Sequence, residues 1–356
     1  MPKPQRVVTG GVDTHADTHV AVMIDEVGRV LDTRALPATR AGYCRMLEWM
    51  SSHGQVDKVG VEGTGNYGAG LARYLRGQGV EVIEVIRPNR QARRRRGKSD
   101  PTDAEAAARA ALNGEAAGSP KSRDGAVEGV RALRVARRGA LKARTQAANA
   151  LRDLIVSAPD ELRERLKPLP TDQRAQLASR FRSGPLSDPV EATKEAMRSV
   201  AIRYRHLSDE IARLDTAMDN LIVEAAPTRL LDRSGVATQV ATALVAAAGD
   251  NPERLRSEAS FAALCGASPV DASSGKQNRH RLNRGGDREA NSALWRIVTT
   301  RMATDPRTRA YVARRTQEGK TKTEIIRSLK RYVAREVYKT LVKTQPATSL
   351  PALSIA

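Results

Sequence analysis

Four acidic residues, Asp13, Glu62, Asp100 and Asp103, stand where side chains from separate segments of the chain can converge. Asp13 closes the apolar run Arg6-Val7-Val8-Thr9-Gly10-Gly11-Val12, and Glu62 closes Lys58-Val59-Gly60-Val61. Asp100 and Asp103 lie where Lys98-Ser99-Asp100-Pro101-Thr102-Asp103-Ala104 opens a helix. Carboxylates gathered from two strand ends and a helix start repel one another unless a divalent cation sits among them. Taken singly, each acid has a plainer role. Asp13 is a turn acid, and Asp100, Pro101 and Asp103 read as N-cap, N1 and N3 of a helix whose positive end favours acids. Taken together, their spacing favours one metal site. The surrounding chain carries a formal net charge of +20. An acidic metal site inside a basic protein points to enzymatic work on nucleic acid.

The elements that must position these acids follow from periodicity. Residues 6–13, 18–25 and 29–36 read as three short strands, 39–53 as a helix capped by Thr39, 57–61 as a strand, 68–77 as a helix and 80–86 as a strand. Such an order makes a mixed sheet with helices on its faces, compatible with a ribonuclease-H-like fold. A proline-free helix pattern over 126–156 follows. The stretch 157–190, broken by Pro159, Pro168, Pro170, Pro185 and Pro189, reads as a connection with a short helix. Met197, Val200, Tyr204, Leu207, Ile211, Leu214, Met218 and Leu221 then repeat at three- and four-residue spacing, a coiled-coil seam that serves either an internal hairpin or an oligomer contact. Beyond Pro227, Gly235 opens a small-residue helix in a helix-hairpin-helix-like element, followed by helices at 257–265, 287–303 and 322–343. The expected domains are 1–120, 121–226 and 227–345, with 346–356 a disordered tail.

A chain of 356 residues exceeds one ordinary core. Aromatics are only 3% of it, so phosphate contacts from Arg are expected to outweigh base stacking. The charge is uneven. Residues 226–356 carry 23 Lys and Arg against 11 Asp and Glu, whereas residues 1–120 carry 17 against 14. The last third is therefore the main candidate surface for a polyanion. No apolar run reaches the length of a membrane span, and no secretory pattern opens the chain. Cys44 and Cys265 form no motif, as expected of a reduced cytoplasm.

Two basic segments accompany the acids. Arg87, Arg90, Arg93, Arg94, Arg95, Arg96 and Lys98 immediately precede Asp100 and are placed to grip a nucleic-acid backbone. Ser273-Ser274-Gly275 lies beside Lys276, Arg279, Arg281 and Arg284. A Ser before Gly is ordinarily a turn, but these cations can hold a scissile phosphate and stabilise charge there. His15 and His19 flank the first turn and are read as solvent-facing rather than as ligands.

Asp13 after Gly-Val, Glu62-Gly63-Thr64-Gly65, the Lys98–Ala104 segment and the Ser273-Ser274-Gly275 loop resemble, in order and over nearly the whole chain, the DEDD transposases of bacterial insertion sequences, relatives of the Piv-type DNA invertases. The resemblance implies an α/β RuvC-like domain, a helical coiled-coil region and a mostly helical C-terminal transposase domain. It implies that Asp13, Glu62, Asp100 and Asp103 bind Mg²⁺ or Mn²⁺, and that a serine attacks DNA covalently: Ser274 by motif position, with Ser273 its neighbour. It further implies donor and target DNA as substrates, a structured noncoding bridge RNA as guide, a homo-oligomer (dimer or tetramer) joined through the coiled coil, and action in the bacterial cytoplasm at the nucleoid. Ala16 departs from relatives that often carry Lys beside the first motif. The competing readings are a RuvC-like Holliday-junction nuclease using water, a Piv-like invertase, an actin-like ATP-binding fold and a non-catalytic RNA-binding protein. The ATP fold lacks a second phosphate loop, and the four acids would weaken RNA affinity without a metal to justify them.

Overall fold

Alternation along the first strand divides a sheet into two faces, and each face recruits its own helices. The computed structural model of the chain describes residues 6–85, 99–273, 280–281 and 283–343. It comprises two compact units: Met1–Asp124 with Ala248–Ser257, and Gly125–Ala247 with Glu258–Ala356.

In the first unit β1 (Val7–Thr14), β2 (Thr18–Asp25) and β3 (Val30–Pro37) form an antiparallel meander. β4 (Gln55–Glu62) pairs parallel to β1, and β5 (Glu81–Val85) pairs parallel to β4, giving the order β3-β2-β1-β4-β5. Val8, Val12, Met23, Val59 and Val61 face one side and share a core with Met46, Trp49 and Met50 of α1 (Arg40–Ser51) and Leu71 and Leu75 of α2 (Ala69–Gly77). Thr39 caps α1 as expected, its hydroxyl accepting from the Gly42 N–H at 3.1 Å. The other side carries Val22 and Ile24, which pack against Ala104 and Ala108 of α3 (Asp100–Leu112). The returning segment 248–257 is tied to this unit by Asn251, which accepts from the Ser122 N–H at 2.9 Å and donates to the Pro120 carbonyl at 3.1 Å.

Among its described residues, the regular elements of the second unit are helices apart from one short hairpin. α4 (Ala126–Val156) and α7 (Pro189–Ala225) run antiparallel along each other. Leu221 of α7 packs on Gly129 of α4, Asp215 accepts from Arg137, Arg144 lies 6.0 Å over the Tyr204 ring, and Met197 shares a core with Leu151 and Ile155. Met197, Ala201, Tyr204, Ile211, Met218 and Ile222 are buried along this line. The seam expected to serve either a hairpin or a homo-oligomer is therefore filled from within the chain, by α4. α5 (Asp160–Leu166) and α6 (Thr171–Ala178) close the far end through Leu162, Leu166, Ala175 and Ala178, two helices where the prolines led us to expect one.

α8 (Thr228–Leu231) and α9 (Thr238–Ala248) flank a turn at Gly235, whose φ of 80° is the left-handed conformation that glycine permits. α10 (Glu258–Leu264), α11 (Arg288–Thr304), α12 (Pro306–Gln317) and α13 (Lys322–Lys343) follow. α12 is an addition to the sequence expectation, and the expected tail lies outside the described residues. Arg134 of α4 joins this helical group to α4. It donates to the Thr242 hydroxyl at 2.7 Å and to the Glu289 carboxylate at 2.5 Å.

Because the seam is internal, Ile211→Ala and Met218→Ala should each cost about 2–4 kcal/mol of stability. The melting temperature is expected to fall by several degrees, with the mass from light scattering equal to that of the wild type. A lower mass at an unchanged melting temperature would make the seam intermolecular instead.

Candidate metal centre and serine hairpin

Two glycines decide how near the acids come to one another. Gly11 of β1 and Gly60 of β4 are register partners on the α3 face of the sheet. A Cβ at Gly11 would lie 2.1 Å from the Ala104 carbonyl oxygen, and one at Gly60 would lie 2.4 Å from that of Ala107. No side chain fits, so helix backbone rests on strand backbone. The helix face that makes this contact is alanine: Ala104, Ala107, Ala108 and Ala111 are all buried. Two residues beyond the glycines, on the same face by strand alternation, come Asp13 and Glu62. Val12 pairs with Val61, so Asp13 and Glu62 end neighbouring strands side by side. The Thr14 hydroxyl donates to the Glu62 carbonyl at 2.8 Å and ties the two ends together.

The N-terminus of α3 delivers the remaining acids. Its N-cap is Ser99 rather than Asp100, so Asp100 and Asp103 both lie within the first turn, with Asp103 buried. The positive end of the helix dipole favours both carboxylates there. His15, on the turn after β1, joins them. Its Nε2 is 3.2 Å from Asp13 Oδ2 and 3.4 Å from Asp100 Oδ2. Asp13, His15 and Asp100 each offer one ligand atom within 4.8 Å of the others. Burial raises the Asp13 pKa above the ordinary carboxylate value. The His15 imidazole opposes that shift, and the charges of Asp103 and Asp100 add to it. A divalent cation relieves this strain between acids, and a set of carboxylate oxygens with one imidazole suits such an ion.

The loop after Glu62 is held from two directions. The Thr64 hydroxyl donates to the Glu84 carboxylate of β5, and the Arg123 guanidinium donates to the Gly65 carbonyl at 2.7 Å. Arg123 adopts a left-handed φ of 55°, an uncommon conformation for a non-glycine residue.

Of the two histidine readings from the sequence, His15 is solvent-facing as expected and His19 needs correction. His15, while exposed, also reaches the acidic cluster. His19 is fully buried and stacked on Tyr43 at 5.7 Å, and burial lowers its pKa. The β1–β2 register explains both: Thr14 pairs with His19, which turns into the core as His15 leaves it. Arg123 gave no local signal, since it meets its target 58 residues away in sequence. Arg87, Arg90, Arg93, Arg94, Arg95, Arg96 and Lys98 lie outside the described residues.

In the second unit, β6 (Val270–Asp271) pairs with β7 (His280–Arg281), and Ser273 stands just beyond β6. Ser273 is held at the hairpin base, its N–H and hydroxyl both donating to Asp271 Oδ1, at 2.8 and 2.5 Å. Those bonds keep the Asp271 carboxyl below its ordinary value. Arg281 and Arg284 are exposed, while Ser274, Lys276 and Arg279 lie outside the described residues.

Residues 10–158 match a family profile of DEDD-type transposases of IS110, and residues 228–313 match that of the IS116/IS110/IS902 transposase family. The first match contains all four acids and the second contains the serine hairpin. The chain belongs to the IS110 family of DEDD transposases. No curated protein matches it. The family acts on DNA by cutting and transferring strands. No helix of this transposase is long and apolar enough to cross a membrane among the described residues.

If α3 owes its position to the two strand glycines, Gly60→Val should push it off the sheet and separate Asp100 and Asp103 from Asp13. Stability is expected to drop by about 3 kcal/mol, with loss of Mn²⁺ binding by calorimetry. Gly65→Ala is the control, since its new Cβ meets no atom closer than 3.9 Å. Undiminished Mn²⁺ affinity in Gly60→Val would show that the close approach does not build the site.

Proposed function

We propose that this transposase cleaves and rejoins DNA strands through a serine-linked intermediate, with Asp13, Glu62, Asp100 and Asp103 holding Mg²⁺ or Mn²⁺. The convergence of Asp13, His15 and Asp100 within 4.8 Å, at the end of a sheet where Glu62 closes the adjacent strand, carries this reading. The strand order, an antiparallel meander continued by parallel strands, supports a ribonuclease-H-like fold of RuvC type. When bound, the ion supplies charge neutralisation at the phosphodiester. The acids hold it at the end of the sheet, and His15 balances Asp13 and Asp100 with an imidazole between them.

Ser274 is the nucleophile. Its Oγ–P bond forms as the P–O bond to the departing deoxyribose oxygen breaks, and the hydroxyl proton passes to that oxygen. The energy of the phosphodiester is kept in the serine ester, so rejoining needs no ATP. Lys276, Arg279 and Arg281 steady the phosphate charge. The Asp271 carboxylate occupies the Ser273 N–H and hydroxyl at the base of the hairpin, which supports the neighbouring serine as the nucleophile. A structured guide RNA chooses the donor and target sequences, and the basic segment 87–98 grips the backbone.

Asp13→Asn should lower metal-dependent strand cleavage about a thousandfold while leaving DNA affinity intact, because losing a negative charge does not weaken phosphate attraction. With a suicide DNA substrate, the wild type should give a denaturation-resistant protein–DNA adduct on the peptide containing residues 272–276, and Ser274→Ala should give none. Loss of the adduct in Ser273→Ala alone would move the role one residue back. Nicking without an adduct would make the protein a junction nuclease that uses water.

A further inference from the structure

The second unit contains a cleft of about 1050 Å³ that the proposed chemistry leaves unused. The turn Gly266–Pro269 and strand β7 form one wall, and α12 with the first half of α13 forms the other. Lys330 is buried in it. Its Nζ donates to the neutral amide oxygen of Asn291 at 2.9 Å, and among the described residues no carboxylate lies within ion-pair distance. Burial pushes the Lys330 pKa down, and the neighbouring Arg327 charge pushes it the same way. A buried ammonium beside another cation, without a counter-ion, is a costly arrangement that a bound anion relieves. Arg281, Lys320 and Arg327 also line the cleft with no carboxylate at ion-pair distance among the described residues. The one acid in the lining, Glu324, is occupied as a helix cap by the Thr321 N–H and hydroxyl.

The same wall holds aromatic surface that is scarce elsewhere in the chain. Tyr311 and Tyr332 meet edge to face at 5.9 Å, and the Tyr332 ring remains half exposed to the cleft. A duplex keeps its bases stacked inside and offers no face to such a ring, whereas an unpaired nucleotide does.

We infer that this cleft binds a single nucleic-acid strand, seating a phosphate on Lys330 and stacking a base on Tyr332. The inference rests on the reading of the chain as a nucleic-acid enzyme and adds a strand-selective site to it. Because the hairpin that carries the serine segment forms one wall, a strand held here lies beside the hairpin base within the same unit.

The full-length protein is titrated with fluorescent oligothymidine, oligouridine and a duplex of equal length, in a salt series. Tyr332→Ala should weaken single-strand binding about tenfold and leave duplex binding unchanged, and Tyr332→Phe should restore it. Lys330→Met should lower the salt slope for single strands by about 0.7, with a melting temperature equal to or above that of the wild type, since an uncompensated buried charge is gone. Tighter oligothymidine binding assigns the cleft to substrate DNA and tighter oligouridine binding assigns it to an RNA partner; either supports the site. Equal losses for strand and duplex in Tyr332→Ala, or an unchanged slope in Lys330→Met, would overturn it. Cleavage by Asp13→Asn separates the two claims. If that variant cuts like the wild type while Lys330→Met loses strand affinity, the recombinase reading fails and the cleft stands. If Asp13→Asn is inactive and Lys330→Met binds normally, the reverse holds.

Discussion

The rest of the first unit depends on the contact of helix backbone with strand backbone at Gly11 and Gly60. Sheet-to-helix packing ordinarily interposes two layers of side chains. Here one layer is missing on the strands and the other is reduced to alanine methyls. That brings the first turn of α3 to the height of the strand ends. Acids two residues past the glycines then share a face with acids on the helix N-terminus. Each glycine gives up some backbone rigidity relative to alanine, roughly 0.5–1 kcal/mol, and what is gained is proximity between charges that repel. Such an exchange does nothing for stability alone. It is understandable when the convergence itself is the product.

Those charges are balanced by three local devices rather than by the net charge of the chain. The α3 dipole favours Asp100 and Asp103 at its positive end, the His15 imidazole lies between Asp13 and Asp100, and partial burial discourages ionisation of Asp13. None of the three matches the charge of several carboxylates, and the remainder is the property a divalent ion answers. The long-range excess of Lys and Arg acts differently. It attracts polyanions over distances set by screening and leaves the acids' mutual repulsion almost untouched.

Much of this was legible in the sequence because it is written in short periods. The apolar run of the first strand, Thr39 as a cap and the Ala-rich start after Pro101 each specify local geometry. Strands, helices and the positions of the four acids follow from them. What was not legible depended on partners distant in the chain. His15 is the exposed turn residue it reads as, but its approach to Asp100, 85 positions away, leaves no local trace. The seam of α7 reads identically whether α4 or another copy fills it, since heptad spacing records an apolar line and not its partner. α12 escaped for a different reason. It buries none of its residues, so it carries no apolar stripe, and only Asp305 and Pro306 at its start mark it.

Two cations in the second unit, Arg134 partly buried and Lys330 buried, show how a cation with a charged partner differs from one without. Arg134 is surrounded by acceptors: the Glu289 carboxylate, the Thr242 hydroxyl and the Gln239 carbonyl. Burial alone would raise the Glu289 pKa, yet Arg134 and Arg138 hold it below its ordinary value, as expected of a charge pair completed within the fold. Lys330 has an amide oxygen and a neighbouring arginine, and its own pKa is pushed down. The first arrangement is self-sufficient, and removing either partner strands a charge. The second is unfinished as a structural device. Its missing counter-charge would come from outside the chain, in a cleft whose other open cations favour an anion of the same kind. Helix packing needs no ammonium at position 330, where methionine or leucine fills the space at lower electrostatic cost. The charge is therefore better understood through what enters the cleft than through what surrounds it.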